Sequence, residues 1–153
     1  MVNMSTPIAE NVEKLRASTT LLNQAGDELS TIVRNVEAFL DECGVGVHAE
    51  VMVFESEDER GQPEFCTNLG YSRIGGKFRI VVSEMYYSSP ESPYEKPWTD
   101  CSRQEKIMSA KKLPDLISSI IKQVEAKTTE TREVAAKLAQ ELKPILKPGK
   151  AAK

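Results

Sequence analysis

The chain has 153 residues, of which 40% are hydrophobic and 28% charged, with a net charge of −3. That length and balance suit one α+β domain with its own core, and no apolar run approaches the ~20 residues of a membrane-spanning helix. Three scattered cysteines, Cys43, Cys66 and Cys101, exclude a disulfide framework.

Met1 to Glu10 lacks a basic segment followed by an apolar stretch, so no secretory signal is read there and a cytoplasmic location is expected. Charge is unevenly spread. Residues 1–46 hold 3 basic and 7 acidic side chains, residues 47–101 hold 5 and 10, and residues 102–153 hold 12 and 6. Solvated helix faces account for this pattern.

In chain order, Thr6-Pro7 predicts a helix start, a capping hydroxyl followed by proline at the first helical position. Ile8, Val12, Leu15, Leu22, Leu29, Val33, Val36 and Leu40 follow in steps of four and three, with Thr19 and Gly26 at the two remaining places. This is a heptad seam of the coiled-coil kind running from Pro7 to Cys43, and Gly44 is its stop signal. The seam is narrow up to Leu15 and broad from Ala25. A narrow line fits another helix, and a broad face fits a sheet.

Three strands are predicted next, at Val47–Phe54, Phe65–Arg73 and Lys77–Glu84. Alternation of side chains defines each, and Gly75-Gly76 marks a tight hairpin between the last two. Met85–Cys101 reads as a proline-stiffened loop carrying Tyr86, Tyr87, Tyr94 and Trp98. Ser102-Arg103-Gln104-Glu105 is a capping box that opens a helix with Ile107, Ala110 and Leu113 as its buried stripe. Pro114 breaks that helix, and a further one runs through Leu142 to Pro144. Pro148 and Gly149 follow, ahead of a disordered tail over 148–153.

The expected architecture is therefore a long N-terminal helix, a three-stranded antiparallel meander, and C-terminal helices packed antiparallel to the first helix. It makes a single domain over 1–147 with a helical stalk. This order resembles, in topology and without a shared motif, that of small dimeric nucleoid-associated proteins. An extra C-terminal helix and the acidic balance set the chain apart from them.

No constellation for chemistry emerges. His48 is the sole histidine, so neither a zinc cluster nor a cysteine–histidine pair can be assembled by spacing. The glycines near the hairpin do not lead into a helix, which excludes a phosphate loop. No catalytic residue, cofactor or metal is expected. The leading expectation is a non-enzymatic cytosolic protein-interaction module and homodimer, binding a protein partner or itself through the stalk or through Tyr86, Tyr87, Tyr94 and Trp98. The first alternative is nucleic-acid binding by the hairpin residues Arg73, Lys77 and Arg79. The second is a small-molecule pocket formed by the loop around Trp98. No membrane contact is expected.

Overall fold

The structure, a computed structural model, describes residues 6–146. Its elements are α1 (Thr6–Cys43), β1 (Ala49–Glu57), β2 (Pro63–Ile74), β3 (Lys77–Tyr86), β4 (Tyr94–Pro97), a 3-10 turn (Trp98–Asp100), α2 (Arg103–Ala110) and α3 (Leu113–Glu141). The strands form one antiparallel sheet in the order β1-β2-β3-β4. This is the α+β arrangement expected from the sequence, with four strands in place of three. The side chain of Thr6, Pro148-Gly149 and the expected tail over 148–153 lie outside the described residues.

Helix α1 ends as its sequence dictates. Gly44 takes φ +66°, its N–H donates to Asp41 O at 3.0 Å, and the Val45 N–H donates to Leu40 O at 3.3 Å. These two bonds satisfy carbonyls that a helix end otherwise leaves free. The β2–β3 hairpin turns on Gly75 (φ +61°) and Gly76 (φ +82°). Two consecutive positive φ values give the turn whose twist matches the flanking strands. At α2, Ser102 Oγ accepts from the Glu105 N–H and the Glu105 carboxylate accepts from the Ser102 N–H, the reciprocal cap that the sequence announced. Pro114 sits in the first turn of α3, where a missing N–H costs nothing.

One core lies between the sheet and the helices. Val33 and Leu40 of α1 and Leu113, Leu116 and Ile120 of α3 pack on Ala49, Leu69, Tyr71, Ile80 and Val82. The buried helical stripe begins at Ser109 rather than Ile107, which remains exposed. In β1 the pairing shifts between Met52 and Phe54, so Val53 is bulged out. Beyond this bulge the alternation inverts: Phe54 lies opposite Thr67 on the helix-covered face, and Glu55 lies opposite Cys66 on the other.

Two expectations need correction. The segment Met85–Cys101 is not a loop throughout, because Tyr94–Pro97 pairs with Val81–Glu84 as an edge strand. Short length and flanking prolines hide such a strand in the sequence, and an edge is where proline is tolerated. The second concerns helix direction. Leu22 and Asn23 of α1 lie against Arg103 and Ile107 of α2, which feeds directly into α3. Val45, just past the end of α1, lies with Val47 against Val124, Thr128 and Arg132 of α3. Helices α1 and α3 thus run in the same sense across the sheet, not antiparallel.

Strand parity explains this direction. Helix α1 delivers the chain to the Gly75-Gly76 end of the sheet, and three full strands leave it at the opposite end. The four residues of β4 bring it back only part of the way. The next long helix therefore starts at the far end and runs as α1 does.

Candidate interaction surface

The consequence of this direction is that the unpacked halves of α1 and α3 leave the body at opposite ends and do not form a stalk within the chain. Every residue from 7 to 25 is exposed, as is every residue from 121 to 146. At 1.5 Å per residue these exposed helical stretches are about 28 Å and about 31 Å long, and their inner turns still lie beside Arg103 of α2 and beside Val45 respectively. The α1 arm carries the narrow seam: Ile8 is 67% exposed, Leu15 67% and Leu22 44%. The α3 arm carries Val134, Leu138 and Leu142, with Thr128 and Thr131 weakening its inner part.

Where the α1 arm meets the body, α1 and α2 flank a groove of about 460 Å³, lined by Leu22, Gly26, Asp27, Leu29, Arg103 and Ile107 among others. A side chain built at Gly26 would meet nothing within 4 Å, so the groove floor is open at the seam itself. Arg103 donates to Asn23 Oδ1 at 3.1 Å and holds the groove walls together.

The four aromatics singled out in the sequence are not brought together. Trp98 is 1% exposed and belongs to the core. Its Nε1–H donates to Ser109 Oγ at 3.0 Å, and the Lys106 ammonium lies 5.1 Å from its ring centroid. Trp98 thereby pins α2 to the end of β4. Tyr86 and Tyr94 share the helix-side face at the far end of the sheet by register, both exposed, with Tyr86 5.0 Å from the Phe65 ring. Tyr87 lies apart from them and donates from its hydroxyl to the Glu55 carboxylate. That bond, which needs the proton on the phenol, is the main cause that holds Tyr87 above its ordinary range. The bulge at Val53 makes the contact, since it turns Glu55 onto this face.

The hairpin cations are divided too. By register, Arg73 stands opposite Phe78 on the helix side, with its guanidinium 5.1 Å from that ring centroid, whereas Arg79 stands opposite Ser72 on the other face. Arg79 is also engaged: it lies 3.8 Å from the Glu37 carboxylate and donates to Thr99 Oγ1 at 3.2 Å. Lys77 remains exposed.

Glu37 is a residue that the sequence reading missed. Its carboxylate accepts from the Ile80 N–H at 2.7 Å, just past the point where β4 stops pairing with β3. It closes an open sheet edge with a side chain from α1. The signal was present, because position 37 falls between Val33 and Leu40 on the buried stripe, and a charge there needs a partner.

The thiols show no sign of nucleophilic chemistry. Cys66 and Cys101 are buried, and Cys43 is exposed at the end of α1. Burial and the nearby Glu105 push the Cys101 thiol up to about 11, so it stays protonated at neutral pH. His48 is exposed just before β1. Among the described residues no group of three His, Cys, Asp or Glu side chains is placed to hold a metal ion, and no helix is long and apolar enough to cross a membrane. Comparison with protein-family models, with curated proteins and with solved structures finds no match.

Proposed function

We propose that this chain is a non-enzymatic cytosolic protein-interaction module, acting as a homodimer, whose docking faces are its two helical arms. The observation that carries the reading is the bare seam of the α1 arm, in which Ile8, Val12, Leu15 and Leu22 stand in coiled-coil spacing with no partner among the described residues. Most helix stability in proteins comes from packing an apolar face, so an arm of this length without a partner frays. Of the two binding elements read from the sequence, the aromatic group is the weaker. Trp98 is occupied in the core, and Tyr87 lies apart from Tyr86 and Tyr94. The hairpin gives less support to nucleic-acid binding, because Arg79 is already paired with Glu37.

Amide hydrogen exchange along α1 tests this reading. Amides between Val12 and Leu22 are expected to gain protection as protein concentration rises, while those of the sheet stay constant. Rapid exchange of the arm at every concentration, with and without cell extract, contradicts it.

A further inference from the structure

The α1 arm is complementary to itself. Resting on the reading above, we infer that it pairs antiparallel with the α1 arm of a second copy, in the register that sets Ile8 opposite Gly26, Val12 opposite Leu22 and Leu15 opposite Thr19. The seam positions 8, 12, 15, 19, 22 and 26 are symmetric about Ala17, so the two-fold axis passes at that level. Antiparallel two-helix pairs require the two classes of heptad position to alternate across the interface, which permits registers only seven residues apart. Sliding one way sets Ile8 against Val33, which is already 3% exposed in its own core. Sliding the other way leaves Leu22 and the open groove at Gly26 without a partner. The chosen register uses every exposed seam residue and no buried one.

Size and charge agree with this register. Large side chains meet small ones at both kinds of mismatched layer: Leu15 meets Thr19, and Ile8 enters the groove over Gly26, where a side chain would have open space. The first turn of α1 carries no acidic residue of its own. In this register Pro7 of one copy lies opposite Asp27 of the other, and Asp27 lines that groove. A carboxylate beside the helix N-terminus is favourable because the first N–H groups leave partial positive charge there. The charged residues nearest the axis are the two copies of Arg16, one on each helix. Their repulsion is exposed and weakened by salt, so association tightens slightly as ionic strength rises.

Nitroxide labels on single cysteines replacing Glu10, Ala17 or Gln24, which face away from the seam, in a Cys43→Ser background test the pairing by pulsed dipolar spectroscopy of the full chain. The distance between equivalent labels is expected to be shortest at Ala17 and to rise equally at Glu10 and Gln24, where the axial offset is about 21 Å. Equal short distances at all three sites would show parallel arms and overturn the register, while self-association stands. An absence of dipolar coupling from a species that is dimeric by mass places the contact elsewhere, such as on the α3 arm, and also overturns it. An absence of coupling from a monomer removes the homodimer itself. As a second variant, Gly26→Leu places a side chain in the groove from a Cβ that meets nothing within 4 Å, and is expected to weaken association at least tenfold. An unchanged dissociation constant would contradict the docking of Ile8 at Gly26.

Discussion

Replacing Ser109 by alanine isolates the contact that fixes α2 on the sheet. Ser109 Oγ accepts from the Trp98 Nε1–H at 3.0 Å and donates to the Glu105 carbonyl at 2.6 Å, and Ser109 and Trp98 are each 1% exposed. Removing the hydroxyl leaves the buried indole N–H without its acceptor. Such an orphaned donor costs about 1–3 kcal/mol. The carbonyl of Glu105 retains its place in the helix, and alanine regains up to about 0.5 kcal/mol of helix propensity. The net expectation is a loss of about 1–2 kcal/mol. Trp98 is the only tryptophan, so its own fluorescence reports the unfolding transition in urea. With a slope of about 2 kcal/mol per molar urea, the midpoint falls by about 0.5–1 M. A double-mutant cycle with Trp98→Phe, followed by circular dichroism, separates this bond from general packing. Ser109→Ala in the phenylalanine background is then expected to cost less than about 0.5 kcal/mol. Equal costs in the two backgrounds would refute the reasoning, because the penalty would not lie in the indole bond.

Three further outcomes follow from the same physical picture. Glu37→Leu removes the acceptor of the Ile80 N–H and the partner of Arg79, and is expected to destabilise by about 1.5–3 kcal/mol in urea unfolding, a hydrogen bond to a charged group being the main loss. The Ser102 N–H and Lys96 together hold the Glu105 carboxyl below its ordinary value of 4.5. A depressed carboxylate contributes stability above that ordinary value and loses it as the pH falls through the lower folded value. Glu105→Gln should therefore lower the melting temperature at about pH 7 and narrow the gap from wild type at about pH 3. Finally, an aromatic disulfide reagent should titrate Cys43 quickly in the native protein, and Cys66 and Cys101 only at the rate of opening. Two or more fast thiols would contradict the burial of the core pair.

The legible parts of the fold were those written in local chemistry. Gly44 ends α1, Gly75-Gly76 turns the hairpin, and Ser102 with Glu105 caps α2, each because one residue type satisfies one backbone requirement. The broad seam from Ala25 rightly forecast which half of α1 would meet the sheet. What stayed hidden was long-range. Tyr94–Pro97 becomes a strand only because β3 offers it an edge, and the four residues do not alternate convincingly on their own. The bulge at Val53, which carries Glu55 to Tyr87, has no glycine to announce it. The antiparallel expectation for the helices failed on strand parity, which was available from the three strands already counted. The candidate site divided likewise. Trp98 and Tyr94 sit close in sequence, yet the end of β4 sends the tryptophan inward and leaves the tyrosine in solvent. The seam of α1 was visible at once, and only the fold showed that the described residues offer it no partner.

The energetics of that seam place its association within reach of measurement. Ile8, Val12, Leu15 and Leu22 from two copies would each bury roughly half of their surface. At about 1.5–3 kcal/mol for a complete side chain, the gross gain is about 6–12 kcal/mol. The loss of translational and rotational freedom sets about 4–15 kcal/mol against it. A dimer of micromolar or weaker affinity is the expected balance. The direct measurement is the mass of the full chain by sedimentation equilibrium, from concentrations well below micromolar to several hundredfold above. The mass is expected to climb from the 17.0 kDa of one chain towards twice that value, and the climb to disappear in Leu15→Lys without loss of the sheet. A mass fixed at 17.0 kDa across the whole range would contradict the homodimer.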